Sequence, residues 1–352
     1  MKKLKYGIVG CGLIADWHMQ SVRELEATMP VELYAVTDAN AQRARDFAEK
    51  NGLKAFDTLE EFLASDVDIV SICTPSGFHA DIAVAAANHK KHVVVEKPMA
   101  ITEEQLDSVV NACDKNNVKL ASIAQLRCYD TIKKVREAVR GGALGKMVCG
   151  DAYLKHFRSQ EYYDNGGWRG TKALDGGGAL MNQGIHGVDL LLHIMGPVKS
   201  VFAKSKTLIK NIEVEDTLAA VVEYESGAVG VIQATTSINP GYPKQFAFHG
   251  SNGTIRLEEN CVYEWTVDGS EIPEGIVIEK PEHSSASTPD SIKLDGHKEQ
   301  IKDLIECVLY DRTPIVDCRE GRRAVDLILA IYASAESGKE INMKEFTAHR
   351  PI

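Results

Sequence analysis

The first third of the chain alternates short apolar runs with amphipathic stretches. YGIVG, VELYAVT, a brief AF, VDIVSIC, HVVVE and VKLASIA are each bounded by turn signals, with helical spacing between them. Runs of this kind, apolar on both faces and separated by helix-length segments, mean parallel strands covered on both sides. The rhythm therefore predicts a doubly wound domain of six strands over residues 1–124. After about Gly145 the pattern changes. A strand (KMVCGDAYLKHF), a glycine-rich loop and one strongly apolar helix from about Ala179 to Met195 come first. Then VKSVFAKSKTLI, DTLAAVVEYESGAVGVIQATTS, KQFAFHGSNGTIRLEE and CVYEWTV follow, with SG and NG at tight-turn positions. An open, mainly antiparallel sheet fits them. The polar stretch 279–294 reads as a surface loop, and helical patterns over about 296–310 and 320–337 close the chain, the second stopping at Gly338. The fold class is α/β, with a second domain over 125–352.

Composition narrows the partners. With 352 residues, 44% of them hydrophobic, the chain can bury two cores, and no apolar run approaches the roughly 18 residues of a membrane span. A net charge of −10, with Lys and Arg scattered, speaks against nucleic acid. The eight cysteines are widely spaced, with no CxxC pair and no zinc spacing, as expected of reduced thiols in the cytoplasm. MKKLKYGIVG runs straight into a strand and lacks the apolar core of a secretory signal. Asn252-Gly253-Thr254 is then a hairpin turn and not a glycosylation site.

GIVGCGLIA places Gly10, Gly12 and Ala15 between a strand and a helix, with Leu13 and Ile14 opening that helix. Gly10 allows the tight turn, Gly12 lets a pyrophosphate approach the backbone, and the helix N-terminus faces the anion. The second strand ends in Asp38, placed to accept from an adenosine ribose. Its carboxylate would repel a 2′-phosphate, which favours NAD over NADP, although Arg43 can offset part of that repulsion. Thr74-Pro75 and Glu96-Lys97-Pro98 follow the fourth and fifth strands, on the rim where ligands of open α/β sheets lie. Lys97 would project beside a nicotinamide, with Glu96 holding or tuning its charge.

Asp175 to Gly196, DGGGALMNQGIHGVDLLLHIMG, is the second dense stretch. Its glycines give backbone freedom beside a ligand or simply a loose entry to a helix. In a regular helix Asn182, His186 and Asp189 would share one face, and imidazole suits proton exchange with a hydroxyl. His186, Asp189 and His193 also have helical spacing for a metal, but only three candidates align, and the expectation is no metal. Trp168-Arg169, just before, offers a guanidinium to a diphosphate or carboxylate, or is an aromatic anchor with a surface arginine. His79, His89 and His92 each sit where packing explains them.

GCGLIA, TPSGFH, EKP and GGGALMNQGIHGVDLL, in this order, resemble the Gfo/Idh/MocA family of oxidoreductases along most of the chain. The resemblance implies a Rossmann domain followed by an α/β domain whose open sheet forms homodimers or homotetramers. It implies NAD(P)-dependent oxidation or reduction of a sugar, sugar acid, polyol or nucleotide sugar. The EKP lysine falls on Lys97 and the GxH histidine on His186, the implied catalytic pair. Gly10, Gly12, Leu13, Ile14, Asp38, Arg43, Thr74, Pro75, His79, Glu96, Lys97, Trp168 and Arg169 form the implied cofactor set. Asn182, Gln125, Arg127 and Asp189 are the implied substrate set, Gln125 and Arg127 through a QxR-like segment. Many relatives carry aspartate where Asn182 stands, and an amide cannot accept a proton. WRGT with GGGALMNQGIH is similar to the subgroup that contains UDP-N-acetylglucosaminuronate 3-dehydrogenases and related sugar dehydrogenases. Two rival functions go with the same fold: a glycosidase that retains NAD and oxidises C3 transiently, and a non-catalytic dinucleotide-binding regulator.

Overall fold

A computed structural model describes residues 3–269, 271–279 and 295–349. The polar stretch read as a surface loop lies, beyond Glu279, outside the described residues. The chain divides into two compact units, one of Met1–Gln125 with Leu294–Arg322 and Pro351–Ile352, the other of Leu126–Lys293 with Arg323–Arg350.

The first unit runs β1 (Leu4–Val9), α1 (Leu13–Leu25), β2 (Val31–Thr37), α2 (Ala41–Asn51), β3 (Lys54–Phe56), α3 (Leu59–Leu63), β4 (Ile69–Ile72), α4 (His79–Asn88), β5 (His92–Val95), α5 (Glu103–Asn116) and β6 (Leu120–Ser122). All six predicted strands are present, and they pair in parallel in the order β3-β2-β1-β4-β5-β6. The order reverses between β1 and β4, which opens a crevice at the carboxyl ends of these strands. Local chemistry sets the helix starts. Asn40, Thr58 and Thr102 each turn a side-chain oxygen onto the first free N–H groups of the helix that follows. Gly12, before α1, has no side chain to do so.

The second unit contains α6 (Asp130–Arg140), β7 (Met147–Lys155), α7 (Gln160–Asp164), α8 (Ile185–Met195), β8 (Val198–Lys206), β9 (Thr217–Tyr224), β10 (Val229–Thr235), β11 (Gln245–Gly250), β12 (Gly253–Glu258) and β13 (Cys261–Val267). Of the later elements, α9 (Asp295–Tyr310) belongs to the first unit, α10 (Cys318–Ser337) starts in the first and continues into the second, and β14 (Ile341–Asn342) belongs to the second. The sheet order is β13-β12-β11-β7-β10-β9-β8-β14, antiparallel except for the parallel pair of β10 and β7. The helix α8 lies directly on β7. A Cβ on Gly187 would stand 2.3 Å from a Leu154 methyl, and one on Gly150 2.6 Å from Met195. On strand residues that point to the other face, Val148, Phe202, Val221 and Val229 are each at least 41% exposed, and Phe202 pairs with Val221 across β8 and β9.

The expected single helix over Ala179–Met195 differs in one respect. Ala179–Gly184 is π-helical, and α8 proper starts at Ile185. A π turn advances through more residues than an α turn, so the regular spacing assumed for the whole segment holds only from Ile185 on. In the first unit, α9 supplies Ile301, Leu304 and Ile305 to a core shared with Tyr6, Ile8 and Val22.

Candidate active site

At the crevice of the first unit, Gly10 has φ +92° and a Cβ there would be 2.8 Å from the Cys73 carbonyl, so only glycine makes this turn. Gly12 is different: a Cβ there would meet nothing within 4 Å. Open space over an uncapped helix start is the cradle a pyrophosphate needs, so the residues fit a dinucleotide. Asp38 is buried at the end of β2, where Oδ2 accepts the Cys11 N–H (2.8 Å) and Oδ1 the Asn40 N–H (2.8 Å). Oδ1 keeps a lone pair for a ribose hydroxyl. Arg43 faces the same carboxylate, with Nη1 3.5 Å from Oδ2. Leu13 is largely exposed beside the turn and Ile14 packs against the core.

The rim beyond β4 and β5 is stapled. His79 is buried with Nδ1 2.7 Å from the Pro98 carbonyl and Nε2 2.8 Å from the Thr74 carbonyl. Burial lowers its pKa, and the two carbonyls oppose that. One imidazole thus joins the loop after β4 to the loop after β5. The Thr74 hydroxyl and the Gln125 side-chain oxygen are buried with no hydrogen-bond partner among the described residues.

Glu96 is the centre of this rim. Its Oε1 lies 3.0 Å from His18 Nε2 and 3.2 Å from His297 Nε2, and its Oε2 is 3.2 Å from the backbone N of Lys97. Burial opposes the anion, but the two imidazoles outweigh it and hold the carboxyl well below the usual carboxylate range. Burial also lowers the His18 pKa, which fits a neutral ring donating Nε2–H to Glu96. The acceptor Nδ1 then meets Ser71 Oγ at 2.5 Å, and Ser71 Oγ meets the Tyr6 hydroxyl at 3.0 Å. Imidazoles from α1 and α9 thereby support a buried negative charge directly beside half-buried Lys97. These three side chains also bring ligand-capable atoms within 4.8 Å of one another. Hydrogen bonds to a single carboxylate oxygen account for that convergence.

In the second unit the triple glycine is packed, not loose. A Cβ on Gly178 would lie 1.8 Å from the Glu215 carbonyl, and one on Gly177 2.3 Å from the Tyr332 hydroxyl. Buried Glu215 accepts the N–H groups of Gly178 and Leu180 (both 2.8 Å) and the Tyr332 O–H (2.9 Å). Burial nevertheless raises its pKa. Buried Asp175 accepts the Gly170 N–H (2.8 Å) and the Asn182 amide (2.6 Å). A carboxylate therefore adjoins Asn182, from a position seven residues earlier in the chain. His186 is half-buried at the second position of α8. Arg127 and Asp189, read separately as substrate ligands, form a buried bidentate pair at 2.9 and 2.6 Å. That pairing occupies the carboxylate of the His186–Asp189–His193 set weighed as metal ligands. Arg169 and Trp168 stack, with the guanidinium 4.9 Å from the indole ring.

His18, His297, Glu215 and Arg158 are absent from the residues singled out in sequence. Only His18 carried a signal, as a polar side chain on the buried face of α1 beside the glycine turn.

Comparison with known proteins adds to this geometry. Residues 4–123 match the model of an oxidoreductase family with an NAD-binding Rossmann fold, and residues 132–256 match the GFO/IDH/MocA C-terminal domain. The WlbA dehydrogenase from Bordetella pertussis, solved with NADH and UDP-GlcNAcA, is 34% identical with a TM-score of 0.87, covering 97% of this chain and 99% of that one. The WlbA enzyme of Chromobacterium violaceum, also with NADH and UDP-GlcNAcA, is 31% identical with a TM-score of 0.86, covering 97% and 96%. A myo-inositol 2-dehydrogenase of Thermotoga maritima is 27% identical over 97% of this chain and 99% of its own length.

Proposed function

The chain belongs to the Gfo/Idh/MocA oxidoreductase family, and from that premise we propose that it is an NAD-dependent dehydrogenase oxidising a secondary hydroxyl of a nucleotide sugar acid. The coarse reaction, hydride exchange between nicotinamide and a sugar hydroxyl or ketone, is that of the family. The substrate reading is supported by likeness to the two WlbA dehydrogenases over almost the whole chain. UDP-N-acetylglucosaminuronate is the substrate to try first.

NAD, when bound, supplies the hydride acceptor. Gly12 and the start of α1 would hold its pyrophosphate and Asp38 its ribose, with Thr74 and Pro75 on the rim beyond. His186 takes the hydroxyl proton in oxidation and returns it in reduction. Lys97 polarises the reacting oxygen, and Glu96 fixes its backbone. Asn182, anchored on Asp175, and Gln125, with its unpartnered oxygen, orient the sugar. Arg127 and Asp189 brace each other. No helix among the described residues is long and apolar enough to cross a membrane. We place the enzyme in the cytoplasm, on eight cysteines that form no disulfide. We place a second copy of the chain over Val148, Phe202, Val221 and Val229, an apolar strip on one sheet face.

The observation that carries the reading is the fixed Glu96–Lys97 rim together with a histidine at the start of α8 in a chain of this family. The test is NADH formation over a panel of sugars, sugar acids and nucleotide sugars. Lys97→Ala and His186→Ala should each lower turnover by at least ~10² with NADH affinity kept. Normal turnover in both variants would remove these assignments.

A further inference from the structure

We infer that Arg158, Arg169 and Tyr162 form a binding subsite for an oxyanion carried by the substrate, a carboxylate or a phosphate, adjoining the segment that leads to His186. The inference rests on the dehydrogenase reading for the identity of the substrate, but its evidence is independent.

The chain beyond β7 is pinned by its backbone. His156 N–H donates to the Thr235 carbonyl and Arg158 N–H to the Thr236 carbonyl, both at 2.9 Å. This fixes the Arg158 side chain in a buried position. Two guanidiniums then share one aromatic ring: that of Arg158 is 5.6 Å from the Tyr162 centroid and that of Arg169 4.6 Å. Burial, with Arg169 adding to it, lowers the Arg158 pKa, and the phenols of Tyr162 and Tyr163 work the other way. His156 is held neutral by burial and by the nearby charges of Lys244 and Arg158.

The hydrogen-bonding capacity also points outward. Gln183 Nε2 donates to the Tyr162 hydroxyl oxygen at 3.2 Å, and Arg158 bonds the same hydroxyl. A phenol oxygen that accepts from these two donors has its own proton left to give. Arg169 Nη1 donates to the Asn165 carbonyl at 3.2 Å, while its buried Nε has no partner among the described residues. A phenolic O–H and a guanidinium edge at one place make a fork for a carboxylate or phosphate. Gln183 belongs to the π-helical segment and lies three residues before His186, so the subsite is tied to the proposed acid–base residue by the chain itself.

The test is calorimetric titration of three probes into the full-length protein saturated with NADH, alongside NADH-formation assays with NAD. UDP-N-acetylglucosaminuronate carries both a carboxylate and a diphosphate, UDP-N-acetylglucosamine only the diphosphate, and N-acetylglucosaminuronate only the carboxylate. Arg158→Gln, Arg169→Gln and Tyr162→Phe should weaken binding of the first probe by on the order of 10- to 100-fold. NADH affinity should stay within about twofold, which separates this substrate role for Arg169 from the cofactor role that the family resemblance implies. Arg169 is only half-buried and its variant tests the idea should Arg158→Gln fail to fold; Arg158→Lys should restore part of the affinity. Whichever single-anion probe suffers the same loss identifies the group held. Variants that bind all three probes as the wild type does, or whose only defect is weaker NADH binding, overturn the inference. So does a wild type that binds none of them. Arginine-dependent binding with no NADH formed from any sugar would keep the subsite and remove the dehydrogenase reading.

Discussion

Two glycine-rich stretches, GCG before α1 and GGG before the π-helical segment, look alike in sequence and serve opposite ends. At Gly12 the missing side chain leaves open space over a helix start. At Gly178 it leaves no space, because the Glu215 carbonyl occupies it. Both loops are steadied by buried carboxylates that accept loop N–H groups, Asp38 in the first and Asp175 with Glu215 in the second. Glycine thus makes room for a ligand in one unit and for the protein's own backbone in the other.

The sharpest way to break this contrast is alanine at each position. Gly178→Ala should cost roughly 3 kcal/mol or more in urea unfolding and abolish turnover, since neither the backbone carbonyl nor the loop can move cheaply. Gly12→Ala should leave the unfolding midpoint within about 1 kcal/mol and weaken NADH binding by tenfold or more. Equal destabilisation by both would refute the distinction. Glu96→Gln comes next: an amide turns N–H groups toward donors on at least one side, so turnover should fall about tenfold or more with NADH affinity nearly intact. An unchanged rate would mean that the two imidazoles serve only the fold.

The pH dependence of stability sharpens the comparison with smaller effects. His18 and His79 have folded pKa values lowered below the unfolded 6.5. The unfolded chain then binds more protons in that window, so their contribution is complete above about pH 6.5 and is lost as pH falls. Glu215 has a folded pKa raised above 4.5. The folded state there holds the extra proton, so its contribution is present at low pH and is lost as pH rises through the raised value. Urea titrations across pH 4 to 8 should show an acid-side decline that steepens in Glu215→Gln, where the opposing slope is gone. A decline that does not change in that variant would show Glu215 to be ionised throughout.

Much of this was legible in the sequence because it is local. Six strands, the Gly10 and Gly12 turn and Asp38 at the end of β2 follow from periodicity and from residues close in the chain. The Glu96 network was not, because its donors His18 and His297 lie 78 and 201 residues away. The π-helical turn at Ala179–Gly184 was missed because its apolar run fits an α-helix equally well. The GGG stretch was read as backbone freedom beside a ligand or a loose entry to a helix, since nothing in ALMNQG announces Glu215 and Tyr332 as its walls. Arg158, one residue past the predicted strand, belongs to no motif, and only folding brings it and Arg169 to one ring.

The helix α9 bears on modular engineering. A nucleotide-binding cassette excised at residue 125, for grafting onto another catalytic domain, would lose Ile301, Leu304 and Ile305 from its interior and His297 from the Glu96 carboxylate. A usable cassette has to splice Leu294–Arg322 back behind it, or be permuted so that the late helix is translated first. Shuffling between relatives should respect that seam, exchanging the early and late pieces together.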